Sequence, residues 1–306
     1  AEADFLRGRF DDAQLGLERA YAQIAGNGQT NMTLCCDFLA WRLSLGGGYT
    51  PRIPLAVRQE EMLRQHNMAW RNLFHAIGAY YYALRGQTDS IPEVYAAHRM
   101  DSVNTLAPGR PMIGLIEDQV YLAQGEWASV QGRAPGLLAM CEALHYDLVA
   151  LHLRIQMAAA DAGLGRQTEA GALLQQALAQ AAPDGFAMPF AENYRYLAGL
   201  LEAERSGGQA ELAGHICALG RAQEKRCAAL NRSEALPEAA AALTDRELRM
   251  AGMIARRCTN REIAQAMFLS EGTVKQYINQ LYAKLDIGGD VRTRRARLAE
   301  LFRTKN

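Results

Sequence analysis

Thr244-Asp245-Arg246-Glu247, Thr259-Asn260-Arg261-Glu262 and Ser270-Glu271-Gly272-Thr273-Val274-Lys275-Gln276-Tyr277-Ile278-Asn279 decide how the last quarter of this 306-residue chain folds. The first two are Thr-x-x-Glu capping boxes, in which the Thr oxygen takes one free helix amide and the Glu returns to the Thr amide. Ser270 caps a third helix after the short turn Phe268-Leu269. Helices are predicted at about 245–256, 260–267 and 271–285, with tight connections. Leu248, Ala251, Ile254 and Ala255 supply one apolar stripe, and Ile263, Ala264 and Met267 a second. Val274, Ile278, Leu281 and Leu285, spaced four, three and four, supply a third. A short helix, a turn and a longer helix with a polar outer face is the layout of a helix-turn-helix.

With the Val274 stripe inward, Gly272, Gln276, Asn279 and Ala283 point outward, flanked by Lys275 and Gln280. Lys275 can donate to guanine O6 and N7, and Gln276 and Asn279 can each bond adenine in bidentate fashion. Gly272 and Ala283 are small enough to let the rod lie close in a groove. Asn260, Ser270, Thr273, Lys284 and Arg261 are the candidates for phosphate, which sets register without reading sequence. Arg292, Arg294 and Arg295 add longer-range attraction.

Charge supports that division of labour. The whole chain balances 33 basic against 33 acidic residues, but residues 1–236 carry five more acids than bases and residues 237–306 five more bases than acids. A basic tail on an acidic body points to a polyanion for the tail alone. The hydrophobic fraction of 49% excludes disorder, and no apolar run is long enough to span a bilayer. The six cysteines form no C-x-x-C pair and, with no signal peptide in view, are expected to be buried, reduced thiols of a cytoplasmic protein. The six histidines show no metal-ligand spacing, so neither a metal nor a cofactor is expected.

Working toward the other end, Gly8-Arg9-Phe10-Asp11-Asp12-Ala13 precedes Leu17 and Ala20, and Gly165-Arg166-Gln167-Thr168-Glu169-Ala170 precedes Leu174 and Ala177 at the same offsets. Gly125-Glu126-Trp127 opens a similar unit, with Val130 in the Ala place. Glycines 8, 47, 86, 125, 165 and 207 follow at steps of 39, 39, 39, 40 and 42. A left-handed glycine would end the first helix of each pair, and small Ala with Leu would fill the seam. Stacked pairs give an all-α solenoid with a concave groove, similar to tetratricopeptide repeats but with a longer unit. The expected organisation is a repeat domain over 1–232, a linker over 233–242 and a DNA-binding domain over 243–306.

Aromatics gather near the second and third repeats. Three consecutive residues, Tyr80, Tyr81 and Tyr82, cannot all face one core, because successive helical residues turn by about 100°. Trp70, Tyr81, Tyr82, Arg85 and Tyr121 are therefore the candidates for lining an effector groove for a small molecule or protein partner. The more ordinary use of such rings is to wedge between stacked helices.

Leu243-Thr244-Asp245-Arg246-Glu247, Asn260-Arg261-Glu262-Ile263-Ala264, Leu269-Ser270, Thr273-Val274-Lys275 and Leu281-Tyr282-Ala283-Lys284-Leu285 resemble the LuxR-type DNA-binding domain. That resemblance implies a four-helix fold, double-stranded DNA as partner, and Lys275, Gln276 and Asn279 as the base-edge readers. Four departures stand out. Arg257 replaces a glycine before the second helix, so that turn is expected to manage without a left-handed glycine. Tyr277 replaces a histidine, Asp286 stands where glycine often ends the recognition helix, and two extra residues lie within Gly288-Gly289-Asp290-Val291.

Helical repeats ahead of such a domain look like the MalT-like branch of bacterial regulators. That resemblance implies a nucleotide-hydrolysing domain upstream. Only seven residues precede Gly8 and the first residue is Ala, so the chain reads as a fragment. Glycine is never followed by lysine, so no phosphate loop, and no enzyme, is expected within it. The expected function is a transcriptional regulator, not a membrane protein, which senses an effector or partner and self-associates on DNA. The alternatives are a repeat scaffold with a vestigial DNA-binding tail, and a sigma-factor-like reader, against which Thr273-Val274-Lys275 argues.

Overall fold

The computed structural model describes residues 1–25, 30–64, 67–99, 107–234, 243–255 and 257–302. Among them every regular element is helical and no strand occurs, as the periodicity predicts. No helix among them is long and apolar enough to cross a membrane. The chain divides into two compact units, Ala1–Ala228 and Ala229–Asn306. Of the expected linker 233–242, residues 233 and 234 close a long helix, and 235–242 lie outside the described residues.

The first unit runs through α1 (Glu2–Leu6), α2 (Phe10–Ile24), α3 (Thr30–Gly46), α4 (Leu55–Arg64), α5 (Met68–Arg85), α6 (Glu93–Ala96), α7 (Arg110–Gln124), α8 (Trp127–Leu144), α9 (Asp147–Gly163), α10 (Gln167–Ala181), α11 (Met188–Ala191) and α12 (Tyr194–Glu204). The next helix, α13 (Ala210–Glu234), contains the boundary between the units. Four of the repeat glycines do what their spacing implies. Gly8, Gly86, Gly125 and Gly165 are left-handed, at φ 76°, 70°, 79° and 79°. After each, the next amide reaches back across the turn, as Gln87 does to Tyr82 O at 3.0 Å and Arg166 to Asp161 O at 2.9 Å. Ala13, Leu17, Val130, Ala170 and Leu174, at the offsets read from the sequence, are buried in the seams.

The repeat is uneven elsewhere. Gly48, at φ 75°, takes the left-handed place expected of Gly47, and Gly207 is not among the glycines with positive φ. Gly86 leads into a short 3-10 turn and the four-residue α6 instead of a full second helix.

An open groove is not what α3, α5, α7 and α9 present, because α11, α12 and the loop before them fold back over these helices. Arg42 on α3 pairs with Glu192 through Nε at 2.8 Å and Nη2 at 3.2 Å, and Tyr80 on α5 donates to the same carboxylate at 2.9 Å. Gln119 on α7 donates to Asn193 at 3.1 Å, and Gln156 on α9 to Gln119 at 2.9 Å. Phe190, Tyr194 and Leu197 complete the core built on Leu122, Leu151 and Ile155. Ala187 N–H bonds Leu6 O at 2.8 Å, which ties the far end of the unit to its first helix. Burial and the Arg42 charge together hold His152 neutral, with its pKa pushed down to about 3.

The second unit holds α14 (Asp245–Ala255), α15 (Asn260–Met267), α16 (Glu271–Lys284) and α17 (Val291–Leu301). Its core joins Met250, Ala251, Ile254, Ile263, Ala264, Val274, Ile278, Leu281, Leu285 and Leu298. Leu248, Met253 and Met267 pack at the margin.

Candidate nucleic-acid interface

Each helix of the second unit starts where a short polar side chain meets free amides. Thr244 N–H bonds Glu247 at 2.8 Å and Thr259 N–H bonds Glu262 at 2.6 Å. The reciprocal bonds, from the Glu247 and Glu262 amides to the Thr hydroxyls, measure 3.4 and 3.2 Å. Ser270 Oγ accepts from Thr273 N at 3.1 Å, and Asp290 Oδ1 from Thr293 N at 2.9 Å. Asp290, within the segment where two residues exceed the usual length, thus supplies the cap of α17.

The ends of these helices manage without glycine, as expected, by placing other residues in the left-handed region. Arg257 has φ 61°, so the turn before α15 keeps the left-handed conformation without the glycine. Cys258 N–H closes it to Met253 O at 3.0 Å. Asp286, at φ 51°, ends α16 in the same way, with Ile287 N–H on Tyr282 O at 2.8 Å.

On α16, Val274, Ile278, Leu281 and Tyr282 are buried, while Gly272, Lys275, Gln276, Asn279, Gln280 and Ala283 are exposed. Lys275, Gln276 and Asn279 thus share the outer face. Tyr277 is half-buried beneath the Arg246 guanidinium, 5.3 Å from its ring centre. Ser270 and Arg261 are exposed and Thr273 half-buried, its hydroxyl 2.8 Å from that of Ser270.

Two of the expected phosphate ligands are engaged within the protein. Lys284 Nζ lies 2.8 and 2.9 Å from the two oxygens of Glu247, where it clamps α16 to α14. This ion pair, with the Thr244 amide, holds the Glu247 carboxyl below the usual carboxylate range. The Lys284 side chain is nonetheless exposed at the surface. Asn260 Oδ1 accepts from Arg295 Nη1 at 2.9 Å, and Arg295 also bonds Cys258 O. Arg295 therefore anchors the turn ahead of α15, bonding Asn260 through its amide oxygen. No local pattern announces these pairs, because their partners lie 35–37 residues apart.

The candidate effector residues do not assemble. Tyr81 and Arg85 lie inside the core, contrary to the groove-facing expectation, and Arg85 Nη1 sits 3.4 Å from the Tyr81 hydroxyl. Tyr80 is buried and Tyr82 half-buried, so none of the three tyrosines is exposed. The 100° argument fails here because α5 is packed by α3, α4, α6 and α7 as well as touched by Glu192. Trp70 is half-buried near the start of α5. Tyr121 stacks on His98 at 3.6 Å between ring centres, with Arg133 5.2 Å from its ring centre. A cleft of about 820 Å³ opens instead between α9 and α10, with Leu148, Leu151 and Phe186 beside Arg154, Gln180 and Asp184. Among the described residues, no cluster of His, Cys, Asp and Glu is arranged to hold a metal ion.

Residues 241–295 match the sequence profile of the bacterial regulatory proteins, luxR family. Over 64 residues the chain is 45% identical to the DNA-binding transcriptional activator DevR/DosR of Mycobacterium tuberculosis, an alignment covering 21% of this chain and 29% of that protein. The chain thus spans under a third of the length of the curated relative it matches. No solved structure matches the chain.

Proposed function

We propose, from the premise that residues 241–295 form a LuxR-family helix-turn-helix domain, that this chain regulates transcription by reading duplex DNA through α16. Lys275, Gln276 and Asn279 read base edges, and Asn260, Arg261, Ser270 and Thr273 meet phosphates. The observation that carries the reading is the outward row of these three polar side chains on a helix whose opposite face forms the core. The helical unit 1–228 responds to an effector or protein partner, for which the cleft of about 820 Å³ between α9 and α10 offers a place. Self-association then sets two readers on adjacent half-sites, where effective concentration compensates for the weak grip of one small domain.

Selection of bound duplexes from a random pool, followed by gel shifts across salt concentration, tests the reading. Binding falls steeply as salt rises if phosphates are neutralised. Asn279→Ala weakens binding to the selected site by about 1–3 kcal/mol and relaxes preference at one base pair. Indifference to sequence in both the parent and the variant overturns base readout, and salt-independent or absent binding favours the interaction-scaffold alternative.

A further inference from the structure

We propose that the Phe268 ring is a DNA contact that packs against deoxyribose faces on the wall of the groove entered by α16, an inference that rests on the DNA-reading function above. Phe268 is 96% exposed, and it is the sole large hydrophobic side chain left exposed among the described residues of the second unit. Its neighbours Met267 and Leu269 both pack onto the core, so the chain turns this one ring outward.

The backbone adds a second observation. Phe268 ends α15 at φ 54°, with Leu269 N–H closing the turn to Ala264 O at 2.9 Å. This is a position that glycine or asparagine fills with least strain. An aromatic there strains the backbone and leaves its apolar surface in water, two costs that the free protein does not recover.

The place of the ring names its partner. It stands between the end of α15 and Ser270, the cap of α16. In helix-turn-helix docking the first helix crosses the backbone and the start of the second meets base edges, so the turn between them runs beside the sugar–phosphate wall. Ser270 and Arg261 supply that wall with polar groups for phosphates, whereas the sugars between phosphates present C–H faces. An exposed phenyl ring complements those faces and carries no charge.

The test uses the full chain, a mixed-sequence duplex several helical turns long and the duplex selected above. Phe268→Asn relieves the backbone and removes the ring, whereas Phe268→Leu retains apolar reach. We expect the Asn variant to unfold at or above the parent's temperature and to bind both duplexes about five- to tenfold more weakly, with an unchanged dependence on salt. The Leu variant stays within about twofold of the parent. Equal affinity of the Asn variant and the parent overturns the proposal. So does a loss confined to self-association, seen by sedimentation without DNA while affinity per chain is unchanged, since the ring would then seat a second copy. If the parent itself shows no salt-dependent binding, the DNA-reading function fails first and this inference falls with it.

Discussion

The two units close their helices with the same backward hydrogen bond but fill the left-handed position differently. In the first unit glycine stands there after α1, α5, α7 and α9, where pairs of helices must turn sharply and pack closely, and histidine after α6 and α8. In the second, Arg257, Phe268 and Asp286 stand after α14, α15 and α16. A left-handed residue other than glycine costs about 1–2 kcal/mol, so the smaller unit bears that strain at all three of these closures, whereas the larger one bears it at His98 and His145 and escapes it at four glycines. The units also differ in what binds them. Glu192 reaches Arg42 across 150 residues of sequence, whereas the capping pairs of the second unit are three residues apart. One unit is closed by buried, long-range polar contacts, the other by local caps and a few less buried cross-helix pairs around a small core.

The largest effect expected from that contrast is at Glu192. Glu192→Ala leaves the Arg42 guanidinium buried beside Phe5 and Phe38, with Glu2 as its remaining acidic partner. A loss of about 3–5 kcal/mol is expected in chemical denaturation. It should be confined to the first unit, with the signal from the second unchanged.

Next comes Asp118, buried without a hydrogen-bond partner and 3.7 Å from Arg133 Nε. Burial pushes its pKa up to about 7; Arg133 opposes that rise and Glu117 adds to it. A carboxyl that keeps its proton longer in the native state makes stability decline as pH climbs from about 4 to about 7, after which the loss is complete. Asp118→Asn should flatten that stretch of the profile and stabilise the first unit by roughly 1–3 kcal/mol at pH 8. A profile identical to the parent's would show that Asp118 ionises normally.

Gly165→Ala isolates backbone strain, since an added Cβ meets nothing within 4 Å. It should destabilise the first unit by about 1–2 kcal/mol in thermal unfolding. The smallest effects are the converse ones: Arg257→Gly and Asp286→Gly should each stabilise the second unit by a few tenths to about 1 kcal/mol, strain relief being offset by the entropy of glycine. If they do not, the left-handed residues are not strained and the contrast between the units dissolves.

Several features were legible in the chain itself. Two capping boxes and a serine cap placed the starts of α14, α15 and α16, because N-cap chemistry acts over three residues. The buried stripe of α16, and hence the outward row of Lys275, Gln276 and Asn279, followed from helical periodicity. The uses of Lys284 and Arg295 were not legible, because each finds its partner on another helix. Nor was the left-handed backbone of Arg257 and Asp286 legible. Absence of glycine does not forbid a left-handed turn; it makes the turn costlier.

By itself, then, the sequence determined that the chain is helical, where its capped helices begin, and which face of α16 is polar. These are consequences of hydrogen bonds and apolar spacing within a few residues. Tertiary structure alone decided that α11 and α12 fold over α3, α5, α7 and α9, that Tyr81 and Arg85 sit in the core, and that Phe268 stands exposed. Such outcomes turn on which surfaces meet after the chain has closed on itself. Burial at one position then depends on residues that a local pattern cannot see.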